Sequence, residues 1–531
     1  NPADTKLPGF VQFIEFWSNA DEFNASRSYF IPLYEQVLHL NANQSAAVAA
    51  SAYDLMSKIL NIVTIFDASY DAYDTSMTRF AAFSNLSTIF EPNYIMNYSK
   101  LVYDVYDISP SDPELMWFKY LSGGVSYFRA LPGVLEQAGP METQYFLWTA
   151  MFYFYLNFQD TYSQTRYTDR TEWCIDSTIN KFPFVYGYIL FNTMYDEETN
   201  QLASTLTSTI KDDGLKILIE NATWLDDDSK AAALKKVEHM ALYIGFPPRI
   251  KDPAALDIYY RDVSLSTSLS WIQNVELFTR FDFKVTNQTF WGFSYNLTAG
   301  WPSDFEDANE YDSWLTGINA FYTPWANWFT VPATIAQPLF LIADGEIPSA
   351  WNFGNLGAST CGHEMSHGFD PSGTQYNYNG TYVGSIFSNY SQQQYADKMT
   401  CFKDQYSSIV VDHTANGAPA YDDGNRTITE NVADNVGLAS AWVAWQAYLA
   451  QNGNDNLLYG VELTQEQLFF VGYAFGWCTA ARPGSNLNLT DVHSPAYARV
   501  IGPMQNSAQF SEAFGCKAGD RMNPTNKCTV W

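Results

Sequence analysis

The chain has 531 residues, 47% hydrophobic and 17% aromatic, which is ample for a large packed core and excludes intrinsic disorder. Fifty-seven acidic against 28 basic residues leave a net charge of −29, which repels phosphate and argues against nucleic-acid partners and anionic lipid surfaces. No run of about 18 uncharged apolar residues occurs, so nothing reads as a membrane-spanning helix.

The first 280 residues read mainly as helices. Residues 44–65 have an Ala-rich start and apolar residues at helical spacing. Asp112-Pro113-Glu114 is a helix-start signature ahead of Leu115, Trp117, Phe118, Tyr120 and Leu121. Residues 146–158 are strongly aromatic but interrupted by tyrosines, which suits a buried helix. A helical pattern runs over 197–243, past Asp226-Asp227-Asp228, an acidic cluster that suits a helix N-terminus. Near Phe281 the texture changes to short aromatic and β-branched runs, and Trp328-Phe329-Thr330-Val331 before Pro332 reads as a strand. Helical patterns return at 358–369, 389–407, 429–451 and 464–478. The expected architecture is mainly α with a small mixed β-sheet, in two lobes, residues 1–280 and 281–531.

Eleven Asn-x-Ser/Thr acceptors occur, at Asn24, Asn43, Asn85, Asn97, Asn221, Asn287, Asn296, Asn379, Asn389, Asn425 and Asn488. Roughly five would arise by chance, and the excess points to surface loops exposed to the secretory pathway. Six cysteines, Cys174, Cys361, Cys401, Cys478, Cys516 and Cys528, permit three disulfides without fixing the pairs. The start at Asn1 reads as a processed or truncated chain.

The chemistry concentrates in 362–370, GHEMSHGFD. His363 and His367 are four apart, so on a helix both imidazoles leave one face and can grip one zinc ion. Glu364 points the same way and can take a proton from a zinc-bound water and pass it to a leaving amine. A catalytic zinc needs a third protein ligand and an open position. Residues 429–437, TENVADNVG, supply Glu430 as that ligand. Asp434, one turn on, can hydrogen-bond the other nitrogen of a ligand histidine.

These motifs identify residues from about 310 onward as similar to the catalytic domain of the neprilysin family of zinc metalloendopeptidases. Asn319-Ala320-Phe321-Tyr322, Pro332-Ala333, Gln337-Pro338, Trp477-Cys478, Arg482-Pro483, DVHSPAYARVIG at 491–502 and the terminal Cys528-Thr529-Val530-Trp531 match in order. RTEWC at 170–174 carries the likeness upstream. The resemblance implies a thermolysin-like gluzincin catalytic lobe capped by a helical lobe, with one Zn2+ per chain. His363, His367 and Glu430 are then its ligands, Glu364 the general base and Asp434 the orienting carboxylate. His493 would stabilise the oxyanion and Arg499 bind a substrate carbonyl. Asn319 and Ala320 would hold the peptide backbone, with Ile335, Phe340 and Trp477 lining the S1′ pocket. Cys401 and Cys528 match a family disulfide. Cys174, Cys478 and Cys516 match cysteines that pair with an N-terminal segment not contained in this sequence. Cys361 is left as a buried free thiol.

One departure bears on specificity. Where the family carries bulky apolar residues shortly before the Gly of GHE-x-x-H, this chain has Ser359, Thr360 and Cys361, and Gly476 stands beside Trp477. A roomier S1′ pocket follows, apolar in preference but tolerant of polar side chains. The expected function is a zinc endopeptidase acting on extracellular oligopeptides, secreted or as the ectodomain of an anchored protein, cutting before apolar residues. The rival readings are a catalytically silent glycosylated binding protein and an exopeptidase. The first would have lost part of the site, and none is lost. The second needs a group that captures a free terminus, for which there is no motif.

Overall fold

The computed structural model describes residues 39–67, 78–82, 117–156, 170–269 and 317–531, apart from interruptions at 247, 344, 346, 415, 454–456, 481, 483 and 486–490, plus a few residues at 31–35 and 273–281. The described chain is mainly helical, with three small sheets. No described helix is long and apolar enough to cross a membrane.

Two compact units emerge. The first comprises 1–181 and 261–300, the second 182–260 and 301–531. This differs from a single boundary near 280. In the first unit, α1 (Ala42–Asp67) packs against α2 (Ser122–Ala138) and α3 (Pro140–Leu156). Strands β1 (Thr78–Ala82) and β2 (Trp117–Leu121) pair antiparallel. Residues 117–121 are thus a strand where the helix-start signature at 112–114 led us to expect a helix. WFKYL is rich in aromatics, which favour a pleated surface, and it has a partner strand to pair with.

The second unit holds a three-stranded sheet, β3 (Ala241–Gly245), β4 (Phe321–Thr323) and β5 (Trp328–Pro332), in the order β3-β5-β4. β3 runs parallel to β5 and β4 antiparallel to it, so among the described residues β4 is an edge strand. The β3–β5 pairing explains why 182–260 belong with the C-terminal residues. It also ends the helical pattern expected over 197–243. The chain there runs as α4 (Glu197–Thr209), a π-helical turn (Ile210–Leu215), a short helix (Lys216–Asn221) and α5 (Asp227–Glu238), then enters β3. Asp226 caps α5 as the acidic cluster suggested, accepting from Ser229 N at 2.8 Å.

The centre of this unit is a helix crossing. A helix from Ser349 widens into a π-helical stretch, Phe353–Gly362, and regains α geometry as α6 (His363–Ser366). It packs on α8 (Ile428–Asn452), while α7 (Asn389–Tyr406), α9 (Gln465–Gly476) and α10 (Ala496–Asn506) surround the pair. Backbones touch at the crossing: a Cβ on Gly437 would lie 2.6 Å from His363 N, and one on Gly362 2.7 Å from Gly437 O. Around it, Trp445 stacks on Phe469 and Trp442 on Phe470, at 5.5 and 5.2 Å between centroids. Cys401 and Cys528 form a disulfide that ties the tail to α7. Trp531 stacks on Trp224 at 5.6 Å and meets the Phe369 ring edge-on at 5.8 Å.

Candidate metal centre and active site

The crossing of α6 and α8 brings three side chains from two motifs to one point. His363 Nε2 lies 3.2 Å from His367 Nε2 and 3.3 Å from Glu430 Oε2, and His367 Nε2 lies 3.5 Å from the same oxygen. His363 Nδ1 faces Asp434 Oδ1 at 2.7 Å, and His367 Nδ1 faces Asp370 Oδ2 at 2.7 Å. A neutral imidazole that donates from Nδ1 carries a lone pair on Nε2. With both Nδ1 atoms engaged, the two Nε2 atoms face each other and a carboxylate oxygen that makes no hydrogen bond although it is buried. That arrangement repels itself unless a cation sits within it. Ligands held at about 2.0–2.1 Å around a tetrahedral zinc stand roughly 3.3 Å apart, and the donor set of two imidazoles and one carboxylate suits zinc. The three residues fit a metal ion, and among the described residues they are the cluster that could hold one.

Charge balance maintains the ensemble. Desolvation opposes protonation of His363, but Asp434 and Glu430 outweigh it and hold its pKa above the usual value. His367 is raised in the same way by Glu430 and Asp370. Desolvation pushes Glu430 up, yet the two histidines hold it well below the ordinary carboxylate range. Glu364, half-buried beside them, is raised, chiefly by desolvation.

The remaining expected residues fall into two groups. His493 Nε2 reaches Glu430 Oε2 at 3.3 Å, and its Nδ1 is held by Asp491 at 2.7 Å, with the side chain 44% exposed. Arg499 is buried: its Nε and Nη2 donate to the two Asp434 oxygens at 2.8 Å each, and its guanidinium lies 3.8 Å over the Trp477 ring. Exposed Asn319 and buried Ala320 lead directly into the edge strand β4. Ile335 is buried, while Phe340 and Trp477 are partly exposed. Leu339, next to Phe340, adopts φ 101°, a strained conformation for a non-glycine residue, and is 64% exposed. Its carbonyl accepts from Asn355 Nδ2. That bond orients the Asn355 amide, leaving Oδ1 buried without a partner, 3.1 Å from where a Cβ on Gly476 would sit. Ser359 Oγ lies equally close to that point.

Two carboxylates escaped the sequence reading. Asp370 follows His367 by three, the spacing of one helical turn, a signal present within the same motif. Asp491 precedes His493 by two, a spacing without such a rule. Among the cysteines, Cys361 is a buried free thiol as expected, 3.6 Å from Thr207 Oγ1 and pushed up to about 12 by burial. Of the glycosylation acceptors, Asn43, Asn221, Asn379, Asn389 and Asn425 are exposed. Asn24, Asn85, Asn97, Asn287, Asn296 and Asn488 lie outside the described residues.

Two helices crossed at a pair of glycines, presenting an H-E-x-x-H face to a glutamate, define a metallopeptidase-type site. Models of Peptidase family M13 match residues 5–247 and 319–530, and the chain belongs to that family. The resemblance carried by the motifs is thus borne out at the level of the family. Endothelin-converting enzyme 1 of Rattus norvegicus is 33% identical over 367 residues, 68% of this chain and 45% of that protein. Neprilysin-3 of Drosophila melanogaster is 32% identical over 364 residues, 68% of this chain and 43% of that protein. The chain spans less than half the length of these relatives. The fold is similar to zinc metalloprotease ZMP1 of Mycobacterium tuberculosis in its open state, with TM-score 0.65 and 21% identity over 98% of this chain and 78% of that one. It is also similar to PepO from Lactobacillus rhamnosis HN001, with TM-score 0.67 and 21% identity over 96% and 76% of the two chains.

Proposed function

We propose that the chain is a zinc-dependent endopeptidase that hydrolyses oligopeptides outside the cell on the amino side of apolar residues. The observation that carries this reading is the buried convergence of two imidazole Nε2 atoms and a carboxylate oxygen, with Glu364 half-buried beside them. Zinc, when bound by His363, His367 and Glu430, supplies Lewis acidity and acidifies water. Glu364 accepts the proton of the attacking water and returns it to the leaving amine. His493, anchored at Nδ1 by Asp491, presents an Nε2–H when protonated and donates it to the oxygen where negative charge develops. Arg499 keeps Nη1 for a substrate carbonyl, since Nε and Nη2 serve Asp434. Substrate joins the sheet beside β4 through Asn319 and Ala320, as an added strand.

Ile335, Phe340 and Trp477 make the S1′ pocket apolar. The short side chains Ser359 and Thr360, in place of bulky apolar ones, support tolerance of larger and polar P1′ residues. Exposed sequons and the Cys401–Cys528 disulfide support the oxidising, extracellular setting. Cys174 and Cys478 are exposed and Cys516 partly so, which leaves these three thiols accessible for pairing.

A mixed peptide library cleaved with and without a zinc chelator, beside Glu364→Gln, tests the reading by mass spectrometry. Internal cuts before apolar residues, abolished by both treatments, are expected, with P1′ Gln and Thr accepted more weakly. Absence of cleavage by the folded, zinc-loaded protein overturns it, and cuts confined to chain termini turn it into an exopeptidase.

A further inference from the structure

Outside the residues used so far, one buried charge stands out. Lys236, on α5, has no exposed surface. Its Nζ donates to Gly373 O at 2.6 Å and Tyr376 O at 2.7 Å, two carbonyls of the turn that follows Asp370. That turn gives its own N–H groups to Asp370: Ser372 N and Gly373 N reach Oδ1 at 2.7 and 2.6 Å. The other Asp370 oxygen holds His367 Nδ1.

We propose that Lys236 is a positioning residue of the metal centre, fixing the 370–376 turn so that Asp370 sets the tautomer and ring orientation of His367. The connection is continuous in chemistry. Lys236 Nζ holds the carbonyl of Gly373, the N–H of the same residue donates to Asp370, and Asp370 accepts from the imidazole whose far nitrogen faces Glu430. Lys236 also reaches the substrate side. Its own carbonyl accepts from Asn327 Nδ2, and Asn327 Oδ1 accepts from the hydroxyl of Tyr322, the middle residue of edge strand β4. The Tyr322 hydroxyl in turn lies 3.2 Å from where a Cβ on Gly368 would sit, directly after His367. One lysine thus joins the turn behind a metal ligand to the strand on which substrate would lie. Burial pushes its ammonium down to about 7, with the Asp370 charge acting against that shift. Charged or neutral, the nitrogen carries enough N–H groups for both carbonyls.

The proposal rests on zinc being the metal of this centre, but not on the peptidase reading, so its test is zinc affinity in competition with a chromogenic chelator. Lys236→Met keeps the stem and removes the donors. Zinc affinity should fall about 10–100-fold, the range for loss of a group that orients a metal ligand. Asp370→Asn should fall similarly, and the double variant no further than the worse single, because both act along one path. Lys235→Met, which removes the exposed neighbour lying over the Tyr378 ring, should leave affinity unchanged. Circular dichroism reports whether each variant folds. Should Lys236→Met fail to fold, Lys236→Arg and Asp370→Asn still decide. Unchanged affinity in a folded Lys236→Met or in Asp370→Asn, or additive losses in a folded double variant, overturns the proposal. A wild type that binds no zinc overturns the identity of the metal itself.

Discussion

Asp434 is fully buried and serves two partners at once, His363 through Oδ1 and Arg499 through both oxygens. Such a carboxylate matters most for what its removal leaves behind. Asp434→Ala strands a buried guanidinium, a loss of about 3–5 kcal/mol by the usual magnitude for half a buried pair. Urea unfolding of the metal-free protein measures it, and zinc affinity should fall as well. Glu364→Gln makes a contrasting expectation. Because Glu364 stands outside the ligand cluster, zinc affinity should stay within a few-fold while turnover is lost. At this scale the ligand set was legible because i,i+4 spacing encodes a shared helix face. Arg499 on Asp434 was not, since that contact joins residues 65 apart in sequence.

The α6–α8 crossing depends on the absence of side chains. A methyl at Gly437 would meet His363 N at 2.6 Å and Ala358 O at 2.9 Å, both backbone atoms that cannot step aside. Gly437→Ala should therefore push the helices apart, at about 1–3 kcal/mol for overpacking. Zinc affinity should suffer more than thermal stability, because Glu430 rides on one helix and the histidines on the other. Parallel zinc titrations and melting curves separate the two effects. The N-termini of α5 and α7 share a second device. Asp226 caps α5 and also accepts from Ser391 Oγ at 2.8 Å and from Ser388 Oγ, the cap residue of α7. These bonds, led by the one from Ser388, hold its carboxyl well below the usual carboxylate range. Its contribution is thus present above the unfolded carboxylate pKa of about 4 and is lost as pH falls through the depressed folded value. Replacing it by Asn should flatten the acid limb of a stability–pH curve below about pH 4. Helix ends of this kind were legible from the acidic cluster. Strand β3 was not, because ALYIG gains its extended form only from pairing with β5, far along the chain.

For the molecule as a whole, covalent closure by Cys401–Cys528 spans a sequence separation of 127. Loop-closure entropy for a ring of that size amounts to roughly 4–5 kcal/mol, so the Cys401→Ala, Cys528→Ala pair should lower stability by up to that much in urea titrations. The two-lobe plan was legible in outline from the change of texture near 281. Its division was not, because which helices group together is decided by strand pairing and helix packing that no local pattern records.

The last side chain of the sequence has a consequence for how the protein is made. Trp531 lies against Phe369, two residues after His367, and against Trp224. During synthesis the candidate metal-ligand histidines leave the ribosome long before the tryptophan that packs behind them, and β3 emerges well ahead of β5. A nascent chain therefore carries both histidines, and later Glu430, while the surroundings that hold them in register are still missing. The packing behind His367 is complete only once Trp531 has been made and has folded against Phe369. A Trp531→Ala variant, which keeps every candidate ligand, should therefore bind zinc more loosely than the wild type in a chelator competition.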